Sequence, residues 1–433
     1  MNDFYARAAR ACFIVGYLLV SAASSAEQRS VVFLSQALTL TQAIEAAMAH
    51  NPELRSSTFA LRAADARITQ ADIAPNPELA VQLENFGGTG SLRGNDALET
   101  TFMLSQVIEL GDKRAHRTQV AHANRALLGV ETEARQLDIL AEVTRRFIHV
   151  AADQEALKLT QRATLLAEET LRAVEKRVRA ARSPSVEQHR ANIALTRARI
   201  DEEHAEHELD VSRRKLAAMW GDTEAEFDSV SADLFVLPSP ARFEDLLAKL
   251  KTNPDFTRFA SEQRLRDAEV RVAESRRIPS VQIGAGIRQL QETDDHAFVM
   301  SFSMPLFSSS RNNGAVAEAS AKREQVDADK NAAFIRAQAQ LFELYQELKH
   351  SLTEATVLRE QVFPQSESIL RDTEYAYQRG RYSYQDLIAA QRELLDAQRA
   401  QIEAAANAHR FFAEIERLTG ETLSQAQNTA VAY

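Results

Sequence analysis

Cysteine is nearly missing from this chain. The single one in 433 residues is Cys12, so no internal disulfide can form and no thiolate metal centre can assemble. Glycine and proline are scarce, thirteen and ten, which leaves few points where a helix must stop. Acidic residues outnumber basic ones 61 to 51 with no basic run, so no nucleic-acid partner is expected. After the N-terminal region, no stretch is apolar enough to be a membrane helix. Any membrane contact must then come from strands. His-Glu-x-x-His, nucleophile-elbow, P-loop and complete dinucleotide patterns are all lacking, and Gly284-Ala285-Gly286 is too short to count. The chain is therefore read as a non-enzyme without a cofactor.

The N-terminus reads as a secretory signal over residues 1–26. Arg7 and Arg10 precede an apolar core at 11–20, and Ser24-Ser25-Ala26 offers a small-residue cleavage site. Cys12 lies inside it and is not followed by a plausible mature start, so no lipid anchor is expected. Without Arg7, Arg10 and Asp3, 49 basic and 60 acidic residues remain, a net charge of −11.

What remains is rich in Ala, Glu, Arg, Gln and Leu, a composition that suits long helices. Four stretches differ: residues 77–86, 97–110, 279–291 and 296–307. In the last, Phe298, Met300, Phe302, Met304 and Leu306 alternate with Ala297, Val299, Ser301, Ser303 and Pro305, the period of a strand with unlike faces. A tilted strand of about 9–11 residues crosses a bilayer. Phe298, Met300, Phe302 and Met304 are the expected lipid-facing set; the alternative is a half-buried strand of a water-soluble sheet. Four strands cannot close a barrel, and an open edge is not tolerated in lipid. Three copies would supply twelve.

The chain also repeats itself. Asn51-Pro52-Glu53-Leu54 returns as Asn253-Pro254-Asp255-Phe256, and Pro77 returns as Pro279 at the same offset. The expected layout is a first repeat over 27–221 with a helical hairpin at about 112–220, and a linker over 222–240. A second repeat follows over 241–420 with a hairpin at about 313–418, its outward helix at about 313–378, then a tail over 421–433. A helix from about 41 to 73 is broken near its start by Asn51-Pro52, with Thr39 or Thr41 as its N-cap. The pattern from 112 to about 182 implies a rod on the order of 100 Å. Leu137, Leu140, Val143 (or Thr144), Phe147 and Val150 approach a heptad seam, as do Leu387 with Leu394 and Ile388 with Leu395 and Ile402.

The Asn-Pro pairs, the duplicated strand pairs and the pattern Tyr377-x-x-Gly380-x-x-Ser383-Tyr384-x-Asp386-Leu387-Ile388-x-Ala390-Gln391 resemble the TolC family, outer-membrane factors of tripartite efflux and type I secretion. Residues 105–114 (SQVIELGDKR), and Pro305-Leu306-Phe307 with Arg311-Asn312-Asn313-Gly314, are similar to the family's heavy-metal (cobalt-zinc-cadmium) branch. Ser308-Ser309-Ser310 departs from that branch's pattern. The resemblance implies a mostly α, α+β fold: a trimeric twelve-stranded outer-membrane barrel continuous with a periplasmic helical coiled-coil barrel. It also implies a periplasmic adaptor (a membrane fusion protein), an inner-membrane RND pump and outer-membrane lipid as partners.

Carried over by position, the adaptor-contact tips hold Arg182, Ser183, Pro184 and Ser185 in one turn and Arg379, Gly380, Arg381 and Ser383 in the other. An aperture ring of acids is implied at Asp386, with Ala389 where the best-known member has a second aspartate. Glu187 is the equivalent place in the first half. From spacing alone, His204 and His207 are candidate metal ligands with neighbouring glutamates; a solvated helix face is the plainer reading. Drug-efflux or type I secretion ducts, a periplasmic coiled-coil scaffold and a periplasmic metallo-enzyme remain rival readings.

Overall fold

The computed structural model describes residues 37–420; the expected signal segment and tail lie outside them. Two helices come first, α1 (Leu40–His50) and α2 (Pro52–Ala71). Of the two threonines named above, Thr39 is the cap. Its hydroxyl accepts the Gln42 N–H while the Gln42 side chain accepts the Thr39 N–H, satisfying two otherwise unpaired donors. Strands β1 (Glu78–Glu84) and β2 (Glu99–Ile108) follow, then α3 (Lys113–Arg179) and α4 (Ser185–Ala217), which ends in a 3-10 turn at Ala218–Trp220. After the linker the order returns: α5 (Phe243–Leu250), α6 (Pro254–Ser275), β3 (Val281–Leu290) and β4 (Asp295–Ser303). The short α7 (Ser308–Arg311) leads into α8 (Asn313–Val357), α9 (Phe363–Gln378) and α10 (Tyr384–Thr419).

The 67 residues of α3 make a rod of about 100 Å at about 1.5 Å per residue. It is the spine of the chain, touching α2, α4, α6 and α10. Val143, Phe147 and Val150 are buried along it, whereas Leu137 and Leu140 are half-buried. Leu387 and Leu394 of α10 are buried with Val174, Leu370, Tyr377 and Tyr384, where the two helical hairpins meet. A second cluster, Leu246, Leu341, Leu348, Ala408 and Ile415, forms where α5 covers α8 and α10.

Two expectations are corrected. The outward arm of the second half is not one helix over 313–378: a π-helical turn, Leu358–Val362, separates α8 from α9. Pro364 lies at the start of α9 and has no N–H to donate, so the wider turn just before it absorbs the broken ladder. Next, β4 stops at Ser303, because Pro305 cannot donate to a ladder and Phe307 adopts φ +63°. Met304 therefore falls outside the strand. The linker over residues 222–240 is held against the rest of the fold. Leu38 and Val230 form a parallel bridge, and the Gln154 side chain both accepts from Val230 N–H (2.6 Å) and donates to its carbonyl (3.2 Å). His409 of α10 holds the Leu234 carbonyl at 3.0 Å, and burial pushes its imidazole pKa down.

Candidate functional site

The four strands form one antiparallel sheet in the order β1-β2-β3-β4, with β1 and β4 as open edges. Its register sorts the side chains into two unlike faces. On one, Val81 meets Phe102, Phe102 meets Ile287, and Ile287 meets Phe298; in the next row stand Leu79, Leu104, Ala285 and Met300. Gln106, Ile283 and Phe302 form the row after that. This face is uncovered, Phe298 being 91% and Met300 82% exposed. Such an apolar patch on a single chain must be covered by lipid or protein. The opposite face is mostly polar or small: Gln82, Thr101 and Arg288 in one row, Glu78, Ser105, Gly284 and Ser301 in another, with Ala80, Met103, Gly286 and Val299 between them. Ser301 is more crowded than its alternation suggests. Its Oγ donates to Met103 Sδ at 3.2 Å, and a Cβ on Gly284 would lie 2.4 Å from it. Ser301→Ala should be silent in assembly; a large residue there should not be.

At the far end of the helices the two reversals are built alike. In the first, Ala181 takes φ +53° and Arg182 N–H closes onto the Arg177 carbonyl at 2.8 Å. In the second, Gly380 takes φ +75° and Arg381 N–H closes onto the Ala376 carbonyl at 2.9 Å. Both are left-handed helix ends that satisfy orphan carbonyls. Arg177 joins the two tips. Its Nε donates to Ser183 Oγ at 3.0 Å, its guanidinium sits 4.4 Å from the Tyr377 ring centre, and it also donates to the Tyr377 carbonyl. Arg182, Pro184, Ser185, Arg379, Gly380, Arg381 and Ser383 are exposed and Ser183 is half-buried; Arg379 stacks on Tyr375 at 3.5 Å.

The two candidate acids differ in setting. Asp386 is exposed at the start of α10 and accepts from the Ser383 hydroxyl (2.7 Å) and N–H (2.8 Å). Those bonds, the hydroxyl's first, hold its pKa below the usual carboxylate range. Glu187 is half-buried, and its Oε2 is turned inward without a hydrogen-bond partner. Burial pushes up the hydroxyl pKa of Tyr377, and the Glu187 charge adds to it. His204 and His207 stay exposed on α4, with His204 Nε2 3.9 Å from Glu208. Among the described residues, no group of three or more His, Cys, Asp or Glu is placed to hold a metal ion.

The outer membrane efflux protein family profile matches residues 43–222 and again 248–421. The chain belongs to the outer membrane efflux protein family. It is 26% identical over 344 residues to the cobalt-zinc-cadmium resistance protein CzcC of Cupriavidus metallidurans, covering 79% of this chain and 81% of that one. To the nickel-cobalt-cadmium resistance protein NccC of Alcaligenes xylosoxydans it is 25% identical, over 67% of each. A membrane protein from Pseudomonas aeruginosa shares the fold with a TM-score of 0.73 at 17% identity, covering 88% of this chain and 90% of the other. As a member of this efflux family the chain is a non-enzymatic transport component of the outer membrane, with its helices extending into the periplasm.

The segments that resemble the heavy-metal branch serve, in this efflux protein, to turn strand into helix. Arg117 forks onto Glu109 (2.8 and 3.2 Å) and reaches the Ala71 and Ile73 carbonyls at the end of α2. Lys113 donates to Ser280 at 2.6 Å, and Asn312 donates to the Arg276 carbonyl at 2.9 Å. Gly111 and Asp112 both take positive φ at this corner. These residues fix a junction and do not line up as cargo ligands.

Sequence reasoning saw the Asn-Pro pairs and missed what they do. Asn51 Oδ1 caps α2 through Glu53 N–H (2.8 Å), while its Nδ2 donates to the Met219 carbonyl at the end of α4 (2.8 Å). Asn253 repeats this, capping α6 through Asp255 N–H (2.8 Å) and donating to the Arg417 and Leu418 carbonyls of α10. Each asparagine fastens the beginning of its half to the end of the same half. The recurrence of an amide, rather than a carboxylate, next to Pro was the available signal.

A Cβ on Gly380 would meet nothing closer than Arg177 Nη2 at 3.9 Å, so the constraint there is the backbone angle alone. Gly380→Val should cost about 1–2 kcal/mol locally and lower export without loss of barrel assembly, since the sheet lies about 100 Å away. Export assays beside outer-membrane fractionation check this. Ala181→Gly, the converse change, should be neutral or gain up to about 1 kcal/mol.

Proposed function

We propose that the chain is the exit duct of a tripartite efflux system. It works as a homotrimer whose twelve pooled strands close one barrel in outer-membrane lipid. A periplasmic adaptor docks at the tips, an inner-membrane RND pump supplies the drive, and the cargo is heavy-metal cations. The observation that carries the assembly is the sheet itself: an exposed apolar face across four strands, bounded by two unpaired edges. No helix among the described residues is long and apolar enough to cross a membrane, so the strands are the candidates to meet the lipid, and three copies give an even number. The exposed row Val186, Ile193 and Ile200 on α4, seven residues apart, supports a neighbouring helix from a second copy. The double family match supports reading the two halves as one duplicated unit.

The cargo reading rests on the resistance proteins CzcC and NccC, whose names specify cobalt, zinc, cadmium and nickel. Crosslinking of detergent-solubilised protein should give a trimer. A clean monomer that still fractionated with the outer membrane would sink the assembly. Cells that keep the pump and lose this chain should become sensitive to one or more of these metals; unchanged metal tolerance with lost drug tolerance would reassign the cargo.

At the periplasmic entrance, three exposed Asp386 carboxylates would favour cations over anions. Because Asp386 also caps α10, Asp386→Asn is the cleaner test, keeping an acceptor for Ser383 while removing charge. Cation preference in planar bilayers should fall with docking preserved. The same selectivity as wild type would reduce Asp386 to a capping residue.

A further inference from the structure

Apart from Glu78 near the helices, the polar face of the sheet gathers its charge at the far end. Moving away from the helices, its last rows are Gln82, Thr101, Arg288 and Ala297, then Glu84, Glu99, Leu290 and Asp295. Arg288, on β3, reaches across two strands. Its Nη2 lies 3.2 Å from Glu84 of β1, its Nη1 2.9 Å from Glu99 of β2, and its Nε donates to Thr101 Oγ1 at 3.0 Å. Asn85 Nδ2 adds a bond to Glu99 at 3.0 Å. The face behind these rows holds Phe102, Ile287 and Phe298, so a barrel that turns those to lipid turns Arg288 inward.

We propose that Arg288 is a specificity-determining residue of the duct, setting the ion preference of its outer mouth by masking two of three carboxylates. The proposal rests on the trimeric-duct reading above. Three carboxylates against one guanidinium leave a net charge of −2 per chain, hence −6 around three copies. Half-exposed ion pairs contribute little to stability, so a crossbar of this kind has its main effect on the local field. Low-dielectric walls focus that field on the passing ion, and rings of charged side chains select by sign. Arg288 also pins Glu84 and Glu99 against the wall, leaving Asp295 as the unpaired acid of the row. The mouth therefore favours cations leaving the duct, with Arg288 limiting how strongly they are held there.

The test is the potassium-over-chloride permeability ratio of the purified full-length mature protein in planar bilayers under a salt gradient. Arg288→Gln should raise the ratio by about twofold or more, and Glu84→Gln combined with Glu99→Gln should lower it towards unity. Arg288→Lys keeps the charge without the fork and should stay near wild type. Trimers that conduct with one ratio in all four proteins would overturn the proposal alone, as would an Arg288→Lys shift equal to that of Arg288→Gln, which would assign the effect to packing. Wild-type protein that forms no trimeric channel would overturn the duct reading and this proposal with it.

Discussion

Arginine in place of Met300 should cost about 2–4 kcal/mol of barrel stability and deplete the chain from the outer membrane. Met300 stands with Leu79, Leu104 and Ala285 in one of two adjacent rows of this face that are apolar on all four strands, the other being Val81, Phe102, Ile287 and Phe298, and those two rows mark the middle of the apolar band. One row beyond the Phe298 row three of the four residues on the same face are polar, Thr100, Gln289 and His296 beside Leu83. His296→Arg, on the same strand and face, should therefore cost only about 0–1 kcal/mol, as expected near an interface. Phe302→Arg belongs with Met300→Arg. On the trimeric reading, urea titration of the heat-modifiable band would measure all three. Equal tolerance at Met300 and His296 would mean that the face, or the depth, is misassigned.

The second large effect is expected at Asn253. Its side chain is 1% exposed and serves two helix ends together. Asn253→Ala removes the cap of α6, about 1 kcal/mol, and leaves the Arg417 and Leu418 carbonyls without their donor in a buried site, about 1–3 kcal/mol more. The sum is about 2–4 kcal/mol. Asn253→Asp separates the two roles: it keeps the acceptor for Asp255 N–H and loses the donor to α10, while setting a carboxylate against two carbonyl oxygens. It should be at least as damaging as alanine. The midpoint of thermal loss of helical circular dichroism reads both variants. An aspartate that restored wild-type behaviour would show the contact to α10 to be dispensable.

Alternation, sparse Gly and Pro, and heptad spacing carried most of the architecture in the sequence, because each is a local signal with a fixed period. Strand ends were less legible. Alternation ran on through Met304 and Leu306, while the ladder stopped where Pro305 offers no donor. The π turn before Pro364 was hidden because apolar spacing on both sides still looked helical. Ala181 gave no warning of its left-handed angle, which the matching Gly380 announced. The sites were less legible than the fold. The roles of Asn253, Arg177 and Arg288 come from bonds to residues 164, 200 and 189 positions away, and no window of sequence displays them. Glu187 matched Asp386 by position, yet it is half-buried with its Oε2 turned inward, whereas Asp386 is exposed.

The two unpaired edges of the sheet bear on how the protein is made. A newly exported chain crosses an aqueous compartment carrying β1 and β4 as ready templates for any passing strand, with a bare apolar surface beside them. Closure on the trimeric reading needs two further copies, so its rate rises steeply with local concentration, but so does the rate of mispairing. Helices can form early from local contacts, and the sheet must wait. Between those two moments the chain depends on a holding factor or on rapid capture by the membrane, and overproduction would fill the cell with aggregate before it filled the membrane with ducts.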